Sequence, residues 1–235
     1  MIKRSVATFL MLMFVGLQFG YSQVGKGALK KHFTHESVTS FDLENWGFYG
    51  IGRGKRDVHK QFCMAESEKS RGVVLISPKS YGEDVVLQYD VVPLTSMTVV
   101  VSMLSVSNHG NKDGQLIIPK DYDGAISMWT KEVDGYFFAY HNLAHNYPPF
   151  VRKVPKKGNE FLAMAKQNVM QPGRCYRVEV GKVDHKVWMK VDGKLLFNTV
   201  DDNAYGKGHI VLRTRGTLWF PASVLIKNID IYSRD

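Results

Sequence analysis

Residues 136–155, with the sequence YFFAYHNLAHNYPPFVRKVP, hold the densest group of side chains in this chain that could perform chemistry. The stretch contains three tyrosines, two histidines, two asparagines, one arginine and one lysine. The segments around it have the composition of plain β-strands, which form scaffolds. Functional side chains gather where such a pattern is interrupted by polar and aromatic residues. We therefore treat this stretch as the first candidate site.

These residue types suit an elimination reaction on a sugar that carries a carboxylate. Elimination needs a base that removes a proton, an acid that assists the leaving oxygen, and a group that neutralises the carboxylate. We predict His141 or His145 as the base and Tyr140 as the acid, with Arg152 or Lys153 on the anion. The other residues of the stretch predicted to bind substrate are Tyr136, Asn142 and Asn146.

The order of Tyr140 and His141 sets a geometric condition on this prediction. Neighbouring residues of a strand point to opposite faces, so both can line one groove only if the strand ends or bulges there. The asparagines and prolines that follow favour such an end. The alternative is a packed loop with solvent-exposed histidines.

Metal and hydrolytic chemistry fit the sequence less well. His141 and His145 have the i, i+4 spacing of a helical zinc pair, but Asn142 stands where a zinc protease has glutamate. A single metal ion on one of these histidines stays open, as does calcium on the aspartate pairs of two turns, Asp121 with Asp123 or Asp201 with Asp202. We expect no organic cofactor.

Glycoside hydrolysis requires two carboxylates that flank the sugar bond. Glu66 and Glu68 have a suitable spacing, but their context, ESEKSRG, is typical of a solvated turn. A hydrolase would therefore need a carboxylate pair that the sequence does not reveal.

A second candidate group lies on two predicted strands near the C-terminus. Arg213 and Arg215 share one strand face, and Trp188 and Lys190 share another. An aromatic ring beside cations can stack on a sugar and hold its acidic groups, so we predict that Arg213, Arg215 and Trp188 line the groove. The remaining tryptophans, Trp46, Trp129 and Trp219, are expected in the core.

The N-terminus and the overall charge indicate where the protein acts and on what. Residues 1–22 combine Lys3 and Arg4, an apolar run and small residues before Gln23, which predicts a signal peptide and a secreted protein, with the periplasm as the expected compartment. Residues 23–235 then form one domain with 29 basic and 22 acidic residues and no membrane anchor. This excess favours an anionic partner. Export and the absence of a basic run argue against nucleic acid and favour acidic polysaccharide.

Short β-branched runs dominate the chain and predict an all-β fold. Residues 72–77, 84–92 and 97–106 are apolar strands, and residues 175–183 alternate between faces. Asp192-Gly193 between two apolar runs predicts a hairpin turn. Residues 47–56, with four glycines, predict a loop. The two cysteines, Cys63 and Cys175, could form a disulfide or remain free thiols.

The C-terminal strands carry a resemblance to a known superfamily. Residues 176–232 contain an aromatic strand, a V-D-G-K hairpin, a G-x-I-x-L-R strand and a final I-K-N-I-x-I strand. This order resembles the closing strands of concanavalin A-like lectin/glucanase domains. LISPKSYGEDVVLQYDVVP and FFAYHN…HN…RK.P resemble an uncharacterised bacterial family of that superfamily, encoded among genes for the use of pectic and algal sulfated polysaccharides. The glucanase motif E-x-D-x-x-E is absent.

The resemblance covers most of residues 33–232 and implies a jelly-roll β-sandwich of two antiparallel sheets that acts in carbohydrate breakdown. Together with the side chains of residues 136–155, it predicts a lyase or dehydratase acting on acidic, uronic or sulfated oligosaccharides. A non-catalytic carbohydrate-binding module that uses the same groove is the alternative, and a hydrolase with an unrecognised carboxylate pair is a third.

Overall fold

The computed structural model describes residues 32–155, 160–217 and 220–235, so the predicted signal peptide and Trp219 lie outside the described residues. Strands dominate, as the β-branched runs predict. Their bounds are β1 (Thr34–Val38), β2 (Gly47–Gly50), β3 (Gly52–Arg56), β4 (Phe62–Glu66), β5 (Val73–Ile76), β6 (Asp84–Pro93), β7 (Val99–Asn108), β8 (Val133–His141), β9 (Phe150–Val154), β10 (Ala163–Met164), β11 (Tyr176–Val183), β12 (Lys186–Val191), β13 (Lys194–Val200), β14 (His209–Arg215) and β15 (Ser223–Arg234).

Three short helices with complete bounds accompany the strands in the part of the chain that the structure describes. They are α1 (Ile126–Lys131) and two single 3₁₀ turns, Asp42–Asn45 and Leu143–His145. Sequence periodicity does not predict α1, because a helix this short shows less than two turns of pattern. Among the described residues, no helix has the length and apolar character needed to cross a bilayer.

The strands form two antiparallel sheets. Sheet A has the order β13-β12-β11-β6-β15-β4-β3, with β1 paired to β15, and sheet B has the order β10-β9-β8-β7-β14-β5-β2. Side chains from both sheets form one core: Leu87 and Val178 from sheet A meet Leu104 and Phe138 from sheet B, and all four are fully buried. This arrangement confirms the predicted all-β sandwich of two antiparallel sheets.

A second apolar cluster covers the outer face of sheet B. Val101, Phe137 and Val211 of the sheet pack with Met128 and Trp129 of α1. Burying both faces of sheet B explains why β7 reads as a continuous apolar run rather than an alternating one. Trp129 and Trp46 are buried, as predicted.

Residues 47–56 form β2 and β3, so the loop predicted there is wrong. Their glycines allow close packing instead of a turn. A Cβ on Gly52 would lie 2.3 Å from the Ala65 carbonyl oxygen, and a Cβ on Gly54 would lie 2.7 Å from the Phe48 ring. Since only glycine fits such positions, a strand can carry the composition that normally marks a loop.

Local predictions near the C-terminus agree with the structure. In β11, Tyr176, Val178 and Val180 enter the core, while Arg177 and Glu179 are only partly buried. Asp192 and Gly193 have φ of 49° and 77°, the positive values that a tight hairpin turn requires. Cys63 and Cys175 are free thiols, which settles the question of a disulfide between them.

Candidate functional site

The first part of the candidate stretch is a buried strand. Tyr140 is 1% exposed, and its hydroxyl lies 3.0 Å from Ser102 Oγ, which lies 2.7 Å from the Tyr89 hydroxyl. In this chain of hydroxyls, each of the three buried groups has a hydrogen-bond partner. A substrate cannot reach Tyr140 there, and this placement argues against its predicted role as an acid.

His141 ends β8 and is sealed from solvent, with 1% of its surface exposed. Its Nδ1 bonds the carbonyl of Thr98, so Nδ1 must carry the proton, while the buried Nε2 has no partner among the described residues. Burial lowers the pKa of His141, although the bond to Thr98 opposes this. A register shift at Val100 and Val101 places His141 opposite Val100. The imidazole is neutral and inaccessible, which argues against His141 as the base.

The turn after β8 brings together two predicted residues, the buried Asn142 and the exposed His145. Asn142 precedes the 3₁₀ turn, and its Oδ1 lies 2.6 Å from His145 Nδ1. Because Oδ1 can only accept, Nδ1 donates, and the lone pair of the exposed His145 ring is on Nε2. Asn146 closes the turn with a left-handed φ of 54°, a conformation that asparagine tolerates well.

Tyr136 and Lys153 meet, but around a carboxylate of their own chain. The Tyr136 hydroxyl lies 2.6 Å and Lys153 Nζ 2.9 Å from Asp201 Oδ2. Burial alone would raise the pKa of Asp201, but the bonds from Tyr136 and Lys153 hold it below its usual value. Lys153 also lies 4.3 Å from the ring centre of Tyr205. The charge of Lys153 is therefore neutralised within the fold.

Arg152 differs from Lys153, because among the described residues its guanidinium has aromatic neighbours and no hydrogen-bond acceptor. The guanidinium carbon lies 4.4 Å from the ring centre of Phe161 and 4.8 Å from that of Phe150. Tyr147 packs against both rings at 6.1 Å and is 46% exposed. We call Tyr147, Phe150, Arg152 and Phe161 the Arg152 platform.

The guanidinium of the platform is poorly satisfied. Among the described residues it makes no salt bridge, and its buried Nε has no hydrogen-bond partner. Burial lowers the pKa of Arg152. An arginine stays protonated even so, and a desolvated cation without an acceptor is stabilised by any anion that reaches it. The rings of Phe150 and Phe161 hold this cation in place.

Arg213 and Arg215 hold two turns of the chain together. Arg213 is 3% exposed and donates to the carbonyls of Arg71 and Gly124 at 2.9 and 3.0 Å, and Arg215 donates to Arg71 at 2.8 Å. Donors committed to backbone carbonyls in the interior serve the fold, and this placement argues against a role for Arg213 in substrate binding.

Trp188 lies on the other sheet. It belongs to β12 of sheet A, is 7% exposed, and donates from Nε1 to Glu179 at 2.7 Å. Lys190 bonds the same carboxylate at 2.8 Å. Trp188 and Lys190 do share a strand face, as predicted. The prediction that they line one groove with Arg213 and Arg215 is wrong, because those two arginines lie on sheet B.

One carboxylate of each pair considered for metal binding or hydrolysis has a partner within the fold. Glu66 accepts the backbone N–H of Ala222 at 2.8 Å, Asp123 pairs with Arg71 at 3.0 Å, and Asp201 holds Lys153. Within residues 32–155, 160–217 and 220–235, no group of three histidine, cysteine or acidic side chains is arranged to hold a metal ion.

The sequence pointed to Arg152 but not to its surroundings. Phe161 comes from beyond Pro155, where residues 161–166 are consistent with a resumed strand but the sequence does not indicate which strand it pairs with. Its contact with Arg152 depends on the pairing of β10 with β9, which composition does not reveal. Tyr147 was part of the stretch, yet nothing in its spacing separated it from the buried Tyr136 and Tyr140.

Comparison with solved structures identifies the architecture. The chain is similar to a Bacillus subtilis protein of unknown function with a galectin-like fold, with a TM-score of 0.68 and 14% identity over 86% of this chain and 100% of that one. It is also similar to a Bacillus licheniformis β-glucanase, with a TM-score of 0.57 and 12% identity over 87% and 99% of the two chains. No family model and no curated protein matches the sequence.

A third similar structure is the carbohydrate-binding module CBM66 from Bacillus subtilis, with a TM-score of 0.50 and 13% identity over 82% of this chain and 92% of the module. These identities establish the fold alone: a concanavalin A-like, galectin-like β-sandwich. The predicted fold is thus confirmed, while membership of the superfamily and of the narrower bacterial family stays a prediction.

Proposed function

We propose that this protein recognises acidic oligosaccharides through the Arg152 platform. One observation carries the proposal: Arg152 packs against two phenylalanine rings that contact each other, is half-buried, and has no acceptor among the described residues. A uronic or sulfated sugar would supply the missing acceptor. Its ring would also stack on the exposed face of Tyr147, as aromatic residues do in sugar sites.

Binding is favoured over elimination because the predicted acid–base set is not assembled. Tyr140 and His141 are enclosed by the fold, and Lys153 is neutralised by Asp201. The parts that remain at the surface, a guanidinium and aromatic rings, are sufficient for recognition. A fold shared with a carbohydrate-binding module is compatible with such a role, although it does not specify a ligand.

The binding experiment is a calorimetric titration with trigalacturonic acid. Arg152→Met keeps the apolar stem against the rings and removes the charge, and we expect its affinity to fall about 10- to 100-fold. Arg174→Met is the matched control, since Arg174 also stacks on an aromatic ring, Tyr176 at 5.2 Å, at an exposed site outside the platform. Equal affinities for Arg152→Met and the wild type would refute the proposal.

Elimination is the second candidate, and the geometry of His145 favours it. The bond to Asn142 fixes the tautomer of His145 and leaves Nε2 free as a base on the turn that leads to Tyr147. His145 would take the proton beside the sugar carboxylate, Tyr147 would assist the leaving oxygen, and Arg152 would hold the carboxylate.

Elimination leaves a double bond conjugated with the carboxylate of the sugar, which absorbs at the short-wavelength end of the ultraviolet. Incubation with uronic oligosaccharides should therefore raise the absorbance, or release one water as measured by mass. The variant His145→Gln should lose at least about 100-fold in rate. Unchanged ligand mass across pectic, alginate and ulvan fragments would eliminate this candidate and leave binding.

We also propose that residues 1–22 direct export and are removed. The charged start, the apolar run and the small residues before Gln23 support this proposal. N-terminal sequencing of the protein recovered from the periplasm should begin at Gln23. A chain that keeps Met1 in the cytoplasm would contradict it.

A further inference from the structure

A cleft of about 760 Å³ opens at one end of the sandwich, away from the platform. It lies where β6 begins, where β11 and β15 end, and beside the connection from β13 to β14. Its lining includes Asp84, Ser105, Lys182, Asp184, Tyr205 and Arg234. A volume of this size falls in the range of small-molecule sites and accommodates two or three sugar rings.

Ser105 is held in an unusual conformation inside this cleft. Its φ is 54°, it is 2% exposed, and its hydroxyl has no hydrogen-bond partner among the described residues. It lies in β7 between positions where the pairing shifts register with both neighbouring strands, β8 and β14. Bulges of this kind re-aim a side chain and are frequent beside functional sites.

The neighbouring strand is shaped to permit this bulge. A Cβ on Gly208 would lie 2.4 Å from the carbonyl carbon of Ser105, so only glycine allows the close approach. Ser105 destabilises the fold in two ways. Its left-handed backbone is strained, and its buried hydroxyl has lost water without gaining a partner among the described residues. Such a double cost is typical of groups that are kept for a ligand.

The ionic groups of the cleft are already fixed by one another. Arg234 Nε donates to Asp84 at 2.9 Å and Arg234 Nη2 to Asp184 at 3.0 Å, while Asp84 accepts the backbone N–H of Asp184 at 2.7 Å. Lys182 is 2% exposed and donates to the carbonyl of Glu83. Asp84, Asp184 and Arg234 are therefore held in place by one another. The whole lining carries five carboxylate side chains against four cations, so the cleft offers little attraction to an anionic ligand.

We propose that this cleft is a second carbohydrate site and that it takes an uncharged, polyhydroxylated sugar. Sugar hydroxyls both donate and accept, so they complement fixed carboxylate oxygens, cationic N–H groups and the unpaired hydroxyl of Ser105. The ring of Tyr205, which is partly buried at the cleft wall, offers an apolar surface for a sugar face. This site is independent of the acidic recognition proposed for the platform.

The two sites are separated by the strand β9. Arg152 packs with the rings on the outer side of sheet B, whereas Lys153, its neighbour, turns to the side of Asp201 and Tyr205. The Tyr205 hydroxyl donates to the carbonyl of Val154 at 2.7 Å. Substitutions at Ser105 and at Arg152 can therefore be tested separately.

The test uses the full chain and saturation-transfer NMR with three neutral probes: cellobiose, galactobiose and mannobiose. We expect at least one probe to bind. The affinity of the Ser105→Gly variant for that probe should be about five- to tenfold lower than that of the wild type. Glycine accepts the positive φ, so this variant removes the hydroxyl without backbone strain and should be at least as heat-stable as the wild type. Arg152→Met should leave neutral binding unchanged.

Three results would overturn the proposal: no binding of any of the three probes, full binding by Ser105→Gly, or displacement of the neutral sugar by trigalacturonic acid in the Arg152→Met variant. None of them bears on the platform, whose own test depends on Arg152 and an acidic ligand.

Discussion

At the scale of residues, position relative to the two sheets decides which chemical groups remain available. Arg152 and Lys153 are adjacent and both basic, yet one faces aromatic rings and the other a carboxylate. The alternation of strand faces produces this difference. A charge therefore becomes a candidate for binding only where the fold leaves it without a partner.

Buried His141 should make the stability of the protein depend on pH. Its folded-state pKa is lowered, chiefly by burial, so the unfolded chain binds a proton that the folded chain excludes. Stability should then fall as the pH drops below about 6.5, the pKa of a free imidazole, and the loss should level off below the folded pKa.

The variant His141→Asn keeps a donor toward Thr98 and does not titrate. Urea unfolding from pH 8 to 5 should show a smaller loss of stability for His141→Asn than for the wild type. Identical pH profiles for the two proteins would show that His141 does not titrate as its burial indicates.

The pair of Lys153 and Asp201 should stabilise the fold rather than bind a ligand. Lys153→Met leaves the nearly buried carboxylate of Asp201 with Tyr136 but without its cation, and should cost about 1–3 kcal/mol of unfolding free energy. The double variant Lys153→Met/Asp201→Asn should recover part of this loss in urea unfolding. An unchanged free energy of unfolding for Lys153→Met would contradict a stabilising role for this pair.

At the scale of elements, the segment that carries α1 is attached to sheet B by close backbone contacts. Gly124 has φ of 90°, and a Cβ there would lie 1.8 Å from the carbonyl oxygen of Gly72. Arg213 bonds the carbonyl of Gly124 directly. The approach of these two glycines therefore holds the segment over the outer face of sheet B.

Gly124→Ala should destabilise the protein by more than about 2 kcal/mol, because it adds a backbone clash to an unfavourable φ. Gly110→Ala is the matched control: its φ is 77°, but no atom lies within 4 Å of the added Cβ. We expect it to cost about 1 kcal/mol in thermal unfolding. Equal losses for the two variants would show that the contact contributes nothing.

The sequence predicted elements whose signals are local. The alternating burial of β11 and the Asp192-Gly193 turn can be predicted from sequence, because each depends only on residues that are neighbours in the chain. The strands β2 and β3 were missed because their glycines are required by packing contacts in the folded structure, such as that of Gly54 with the ring of Phe48. The partners of Lys153 and Arg152 were missed for the same reason: Asp201 and Phe161 reach them through tertiary packing.

At the scale of the whole molecule, the two proposed sites should respond differently to salt. Residues 23–235 carry a net charge of +7 at pH 7, and this total includes Arg152, which has no ion-pair partner among the described residues. Raising NaCl from about 50 to 500 mM shortens electrostatic screening lengths several-fold. Calorimetry should show weaker binding of trigalacturonic acid and unchanged binding of a neutral disaccharide. Salt-independent binding of the acid would contradict recognition by charge.

The most direct measurement compares trigalacturonic acid with its carboxyl-reduced, neutral counterpart on the wild type and on Arg152→Met. If Arg152 binds the carboxylate, the affinity of the wild type for the acid should exceed its affinity for the neutral counterpart about tenfold or more. The Arg152→Met variant should lose this difference. An Arg152→Met variant that still prefers the acid to the same extent would contradict the central claim.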